Sequence, residues 1–331
     1  MSILWGPFPG KTEWPNYASG TRCEVVAHFY TNTPNAYLTR VKLRMGSETL
    51  IDQSLLYPMP YVYLNIRFAS THFPDDTHLE IYAEGTDSAG QTGSASRYVQ
   101  VYNKATLYGR NEWENDPSAP TAGVPPSLEY LAYMNHNVSH TCVALGWTKQ
   151  MVLNDIEPCT VFYVNTHGNV GVFISDSDEL TGVIEEILPG DVLPVRQAAV
   201  GTGYPPFNTG LPPINLVFID ACLTGTDNSF NVFLWPYYNG YDTNWCENQA
   251  VVGWNISVDS RKTQACAAAF WSGLADGLTA HQARNQMVEE YFSPEPVPGP
   301  WRDYASVWGD YYTRLSGAYT GSDVYAPHFW W

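Results

Sequence analysis

Residues 214–222 read INLVFIDAC, an almost uninterrupted apolar run that ends in an acidic residue, a small residue and a cysteine. Residues 161–168 read VFYVNTHG and residues 250–254 read AVVGW, so two further runs have the same apolar character. Near-continuous apolar runs of this length are typical of parallel strands buried on both faces of a sheet. They predict an α/β domain in the second part of the chain.

Two helices are predicted to cover this sheet. The first has the i, i+3, i+4, i+7 apolar stripe of a helix packed on a sheet, formed by Ala267, Phe270, Trp271, Leu274 and Leu278. The second begins at Thr279, which with Gln282 three residues later matches a capping box. Pro294 ends this helix, because proline cannot continue it. The expected architecture is a mainly parallel sheet flanked by helices.

The first third of the chain has a different pattern, in which apolar and polar side chains alternate. The segments Val41–Met45, Val62–Phe68 and Leu79–Glu84 follow this period of two. Such alternation indicates antiparallel sheets with one face on a core and the other in water. Residues 83–94, followed by Tyr98–Tyr102, resemble the closing hairpin of bacterial immunoglobulin-like domains. This resemblance implies an all-β immunoglobulin-like sandwich.

These patterns divide the chain into three expected regions. Residues 1–104 form the immunoglobulin-like β-sandwich, and residues 128–331 form the α/β domain. Residues 105–127 contain several prolines and no apolar periodicity, so we expect a linker there. The length of 331 residues fits two domains.

The composition excludes some classes of partner and leaves the cellular location open. With 16 Lys and Arg against 33 Asp and Glu, the net charge is −17, which argues against a nucleic-acid partner. No apolar run approaches about 18 residues, so no transmembrane segment is expected.

The first residues do not look like a signal peptide. The aromatic, loop-rich composition nevertheless favours a secreted or cell-surface protein, with the cytoplasm as the alternative. The oligomeric state is not predicted.

Six cysteines and one acidic cluster are candidates for structural or metal-binding roles. The cysteines show no Cys-x-x-Cys spacing, and we interpret Cys142, Cys159, Cys246 and Cys266 as core or disulfide residues. Residues 176–179 read DSDE and are a possible calcium site, although a solvated acidic turn is the favoured interpretation. No cofactor is expected.

Chemistry-bearing residues follow two of the predicted strands. His167 and Gly168 come directly after one buried run, and Asp220 and Cys222 end another. In open parallel sheets, ligands bind beyond the carboxyl ends of the strands. A thiol and an imidazole at that edge can form a nucleophile–base pair. The sequence therefore predicts a catalytic site there.

This pair of motifs resembles the caspase-like cysteine peptidases, the group that includes caspases, metacaspases, legumains and gingipains. The resemblance covers roughly residues 128–292 and implies a peptidase that needs no cofactor and takes a protein or peptide substrate. It implies that Cys222 attacks the scissile carbonyl as a thiolate and that His167 protonates the leaving amine. The backbone N–H groups of Gly168 and Cys222 are the implied oxyanion hole.

The substrate preference follows from a neighbouring carboxylate. Residues two apart on a strand share a face, so Asp220 should lie on the side of Cys222. In metacaspases an acidic residue at this place lines a pocket for Arg or Lys, and the resemblance implies the same role for Asp220. Trp254 and Asp259, near the end of the next strand, are weaker candidates for the pocket. The alternative function is an inactive caspase-like scaffold that binds proteins or glycans at a surface.

Overall fold

The computed structural model describes residues 2–5, 17–18, 23–68, 70–110, 123–141, 146–157, 159–176, 183–200, 214–234 and 249–315. The strands of the N-terminal part are β1 (Ser2–Trp5), β2 (Tyr17–Ala18), β3 (Cys23–Tyr30), β4 (Leu38–Met45), β5 (Glu48–Met59), β6 (Tyr61–Phe68), β7 (His78–Asp87) and β8 (Thr92–Val101). All three segments that alternate in sequence lie in these strands.

The N-terminal strands form two sheets. One has the order β1-β3-β6 and is antiparallel; the other has the order β2-β8-β7-β4-β5 and is antiparallel except for the short β2–β8 pair. Both sheets contribute to one core, in which Ala27 and Phe29 of the first sheet are buried with Val41, Leu43 and Ile81 of the second. The predicted antiparallel sheets are confirmed, and the immunoglobulin-like topology stays a prediction.

The second part alternates strands and helices. Its strands are β9 (Lys104–Gly109), β10 (Asn137–Thr141), β11 (Val161–Asn165), β12 (Gly168–Asn169), β13 (Val172–Ile174), β14 (Glu186–Ile187), β15 (Leu216–Asp220), β16 (Ala250–Trp254) and β17 (Ala305–Gly309). Its helices are α1 (Val124–Tyr133), α2 (Lys149–Asp155), α3 (Pro189–Val200), α4 (Thr263–Ala275) and α5 (Ala280–Phe292).

A six-stranded sheet with the order β10-β9-β11-β15-β16-β17 forms the centre of this part. Every neighbouring pair is parallel except β16–β17. Helices α1, α4 and α5 supply Leu131, Phe270 and Met287 to the core on one face. Helices α2 and α3 supply Val152 and Val192 to the core on the other face. The expected α/β layer, with a mainly parallel sheet flanked by helices, is confirmed.

Local helix signals are also confirmed. The side chain of Thr279 accepts a hydrogen bond from the Gln282 N–H, and the Gln282 side chain accepts one from the Thr279 N–H, which completes the capping box of α5. The helix ends at Phe292, two residues before Pro294. The apolar stripe that starts at Ala267 lies in α4, which ends before Leu278. No helix of the described residues is both long and apolar enough to cross a membrane.

The interval 105–127 differs from the linker that its composition suggests. Lys104–Gly109 form β9, which lies between β10 and β11, and residues 105–108 are buried. At the other end of the interval, Val124 already begins α1. The short run of residues 105–108 precedes a Pro-rich stretch and is too short to show a period, and its burial comes from strands far along the chain. Residues 111–122 lie outside the described residues.

Candidate active site

The register of two neighbouring parallel strands brings the His-Gly and Asp-Ala-Cys motifs together. Asn165 on β11 pairs with Asp220 on β15, and the Thr166 N–H donates to the Asp220 carbonyl oxygen at 3.3 Å. His167 and Cys222 each lie two residues beyond this last pair. Because neighbouring strands are about 4.8 Å apart, the two residues leave the same edge of the sheet side by side.

The loops that carry these residues are in direct contact. A Cβ atom placed on Gly168 would lie 2.9 Å from Cβ of Ala221 and 2.9 Å from Cγ2 of Thr224. Only a residue without a side chain lets the His167 loop approach the Cys222 loop this closely. The glycine after the histidine is thus explained by packing between the two loops.

The Cys222 loop is a tight turn tied to the neighbouring strand. The Thr224 hydroxyl donates to the carbonyl oxygens of Ile219 and Ala221 at 3.0 and 2.9 Å. Leu223 has a φ of 59°, a region that non-glycine residues rarely adopt, and its N–H donates to the Ile256 carbonyl oxygen at 3.1 Å. Such backbone strain occurs preferentially at functional sites, where the surrounding structure holds it in place.

The sulfur of Cys222 has a defined backbone partner. The Val258 N–H donates to Sγ at 3.3 Å, and the thiol lies 3.9 Å from the Val258 carbonyl oxygen. This backbone contact ties the sulfur to the segment that follows β16. Cys222 is half-buried, whereas Cys159 and Cys266 are buried. All three are free thiols in the structure.

His167 lies at the start of the hairpin formed by β12 and β13. Its carbonyl oxygen accepts a hydrogen bond from the Ile174 N–H at 3.1 Å, which fixes the backbone, and the residue is exposed to solvent. An exposed imidazole is accessible for proton exchange with a ligand at this edge of the sheet.

Two backbone N–H groups are suitable as oxyanion donors. Gly168 of β12 pairs with Phe173 of β13. The preceding residue, His167, accepts a hydrogen bond from the Ile174 N–H, and hydrogen-bonded positions alternate along antiparallel strands. The N–H group of Gly168 therefore points away from β13. Within the part of the chain that the structure describes, the Cys222 N–H has no acceptor. Both groups lie where the two loops meet.

Asp220 is buried beneath the site and held by three donors. It is 2% exposed; Trp254 Nε1 donates to its Oδ1 at 2.7 Å, and the Tyr163 hydroxyl and the Asn165 amide donate to its Oδ2 at 3.0 and 3.3 Å. Burial raises the pKa of this carboxyl group to about 7, although the hydrogen bonds from Trp254 and Tyr163 act to lower it. The group therefore titrates near neutral pH.

The weaker pocket candidates have other partners. Trp254 is fully buried and serves as a donor to Asp220. Asp259 caps a short 3-10 helix and forms an ion pair with Arg261 at 2.6 Å. The hydrogen bond from Arg261 lowers the pKa of Asp259 to about 2. A role for Trp254 and Asp259 in a substrate pocket stays a prediction.

The remaining candidate residues have other partners, are buried, or lie outside the described part. Asp176 of the acidic cluster is buried, 4.0 Å from Arg110, whereas residues 177–179 lie outside the described residues. The described residues contain no group of three or more metal-ligating side chains. Cys142 and Cys246 also lie outside the described part, and burial raises the pKa of Cys159 to about 12.

Sequence reasoning missed three groups that hold the site together. Tyr163 and Asn165 share a strand face with Asp220 only because β11 and β15 are neighbours in this register. Tyr163 and Asn165 are two residues apart, so the sequence predicts that they share one face of β11. Their contact with Asp220 also requires the pairing of β11 with β15. The Val258 N–H is a backbone group and carries no side-chain signal.

Replacing Gly168 with alanine should separate the two loops. The added methyl group would overlap Ala221 and Thr224, so we expect a loss of about 1–3 kcal/mol in the free energy of unfolding. We also expect the reaction of Cys222 with a peptide substrate to slow by about 10²-fold. Gly93→Ala is the matched control, because nothing lies within 4 Å of its added Cβ. Equal effects of the two substitutions in chemical denaturation would show that the loops are not in contact.

Comparison with known proteins finds distant structural likenesses. No family model matches the chain, and no curated protein matches it. A secreted C11 cysteine protease from Bacteroides thetaiotaomicron, solved with an irreversible peptide inhibitor, has a TM-score of 0.35 and 8% identity over 62% of this chain and 65% of its own. A superoxide reductase (neelaredoxin) from Ignicoccus hospitalis has a TM-score of 0.20 and 12% identity over 30% of this chain and 79% of its own. A 2,6-sialyltransferase from a Photobacterium species has a TM-score of 0.20 and 11% identity over 80% of this chain and 56% of its own.

Proposed function

We propose that the protein is a cysteine endopeptidase with Cys222 as nucleophile and His167 as general acid and base. The register of β11 and β15 carries this proposal, because it puts both residues two positions beyond the same strand pair. The strained backbone at Leu223 and the hydrogen bond from Val258 to the sulfur support it further. We propose a secreted or cell-surface location on the basis of the aromatic composition.

The proposed reaction has two steps. The Cys222 thiolate attacks the carbonyl carbon of the scissile bond, and the N–H groups of Gly168 and Cys222 stabilise the oxyanion. Protonated His167 gives its proton to the leaving amine, the C–N bond breaks, and an acyl-enzyme remains. Neutral His167 then takes a proton from water, which attacks the thioester; the acid product leaves and the thiolate is restored.

We propose a preference for Arg or Lys before the cleaved bond, with Asp220 as the group that recognises the charge. Trp254, Tyr163 and Asn165 hold the carboxylate beneath Cys222, so a basic side chain must reach a buried anion. A pKa of about 7 makes this recognition depend on pH, since only the ionised carboxylate attracts a cation.

One labelling experiment tests the mechanism and the preference. The full chain is treated under reducing conditions with a peptidyl acyloxymethyl ketone ending in Arg, or with its neutral citrulline counterpart, and the modified residue is mapped by mass spectrometry. We expect label on Cys222 and none on Cys159 or Cys266, because both of those thiols are buried and their pKa values are raised. The Arg probe should react at least about tenfold faster, and its advantage should grow from pH 6 to pH 8.

The two parts of the proposal fail separately. If neither probe labels Cys222, the protein is not a peptidase of this kind, and the inactive scaffold becomes the better interpretation. If both probes label Cys222 at equal rates, the peptidase proposal stands, but Asp220 does not recognise the charge of the substrate.

A further inference from the structure

The outer face of the β1-β3-β6 sheet carries four aromatic side chains, and one of them, His28, is in contact with the other three. His28 and Tyr30 lie on β3, and Tyr61 and Tyr63 lie on β6. The register pairs Tyr30 with Tyr61 and His28 with Tyr63, so the four rings occupy a two-by-two block on one face. We call these four residues the aromatic cluster.

The cluster is not part of the core. On the opposite face of the same strands, Ala27, Phe29, Val62 and Leu64 are buried. The tyrosines of the cluster remain exposed at 38% for Tyr30, 46% for Tyr61 and 40% for Tyr63. In a half-buried strand these solvent-facing positions usually carry polar side chains. Tyrosine side chains grouped in this way suit an interaction surface, because their rings offer contact area and their hydroxyl groups can form hydrogen bonds.

The rings present faces in two directions. His28 and Tyr63 are stacked, with centroids 4.2 Å apart and an interplanar angle of 5°. Tyr61 stands at 69° to Tyr63 and at 73° to His28, with centroids at 6.0 and 6.5 Å. The ring of Tyr61 is therefore nearly perpendicular to the stacked rings of His28 and Tyr63. Each of these rings also carries a polar atom that can form a hydrogen bond.

The size of the cluster argues against a protein partner. Three tyrosines at these exposures offer roughly 200–300 Å² of surface, given about 150–250 Å² for a whole aromatic side chain. A stable protein interface needs about 800 Å² from each partner. The cluster matches a ligand of one or two rings at a time.

The charge of the molecule argues against nucleic acid and acidic polymers. Bases also stack on aromatic rings, but the phosphates would approach a chain with a net charge of −17, and the cluster contains no Lys or Arg. Burial lowers the pKa of His28 below its ordinary value of 6.5, so its ring is neutral at pH 7. An anionic ligand is therefore disfavoured at the cluster.

We propose that the aromatic cluster binds a neutral carbohydrate chain. The flat apolar face of a pyranose stacks on an aromatic ring, while its hydroxyl groups exchange hydrogen bonds with tyrosine hydroxyls and an imidazole nitrogen. The site is independent of Cys222 and His167, and it gives the N-terminal sheets a binding role whether or not the other part is an active peptidase.

The test is isothermal titration of the full chain with the hexasaccharides of glucose, xylose and mannose. Heparin and a proline-rich peptide serve as alternative ligands. We expect one neutral hexasaccharide to bind with a Kd below about 1 mM, and Tyr63→Ala or Tyr61→Ala to weaken binding at least about tenfold. Tyr63→Phe, which keeps the ring, should retain most of the affinity. Tyr133→Ala is the control, because Tyr133 is 77% exposed on α1 and lies outside the cluster.

Three results would overturn the proposal. The first is no binding of any neutral hexasaccharide by the unmodified chain. The second is equal binding by the tyrosine-to-alanine variants of the cluster in their folded state. The third is binding of heparin or the proline-rich peptide alone, since an acidic polymer or a polyproline helix would then be the ligand. Tyr61→Ala and Tyr63→Ala are independent, so one that fails to fold leaves the other to decide.

Discussion

Replacing Cys222 with alanine should abolish peptide cleavage, with a loss in kcat/KM of roughly 10³-fold or more. The substitution removes the sulfur nucleophile. The nearby Thr224 hydroxyl cannot replace it, because it is buried and donates to two backbone carbonyl oxygens. The free energy of unfolding should change by less than about 1 kcal/mol, because Cys222 is only half-buried. Steady-state kinetics and chemical denaturation measure the two quantities.

Cys159→Ala is the matched control for this variant. It makes the same chemical change at a residue just before β11, at the amino edge of the sheet, whereas Cys222 lies at the carboxyl edge. Cleavage should be retained in this variant.

His167→Ala should reduce cleavage by about 10²–10⁴-fold with little effect on stability, because its exposed side chain acts in proton transfer. Near-normal turnover in Cys222→Ala or in His167→Ala would show that these two residues are not the catalytic pair.

Replacing Asp220 with asparagine should make stability less dependent on pH. In the folded protein the pKa of Asp220 is about 7, above its ordinary value of 3.8, because burial disfavours the charge. Between pH 4 and pH 7 the unfolded chain has lost this proton while the folded protein still holds it. The wild type therefore loses stability as pH rises through this range, by up to about 4 kcal/mol from this group.

The asparagine variant lacks that titration. The free energy of unfolding of the wild type minus that of Asp220→Asn should fall from pH 4 to pH 7 and then level off. Asp259→Asn is the control: its ion pair with Arg261 puts the pKa of Asp259 at about 2, so its difference from the wild type should not change over that range. A constant or rising difference for Asp220→Asn would show that this carboxylate is ionised in the fold at low pH.

The main elements of the α/β part could be predicted because their signals are local. Buried parallel strands need apolar side chains on both faces, so β11, β15 and β16 are visible as short apolar runs. The capping box of α5 is equally local, since Thr279 and Gln282 satisfy each other's backbone groups within one turn. β9 was missed because its five buried residues precede a Pro-rich stretch and gain their burial from distant strands.

The sequence by itself determined which side chains lie at the carboxyl ends of β11 and β15, and hence that His167 and Cys222 are candidates. The tertiary structure alone decided the environment of Asp220. Its donors Tyr163 and Trp254 lie 57 and 34 residues away along the chain, on the two strands beside β15. The same is true of the Val258 N–H on the sulfur, 36 residues from Cys222. Such contacts depend on strand order and register, which pair segments far apart in sequence and leave no periodic signal within either one.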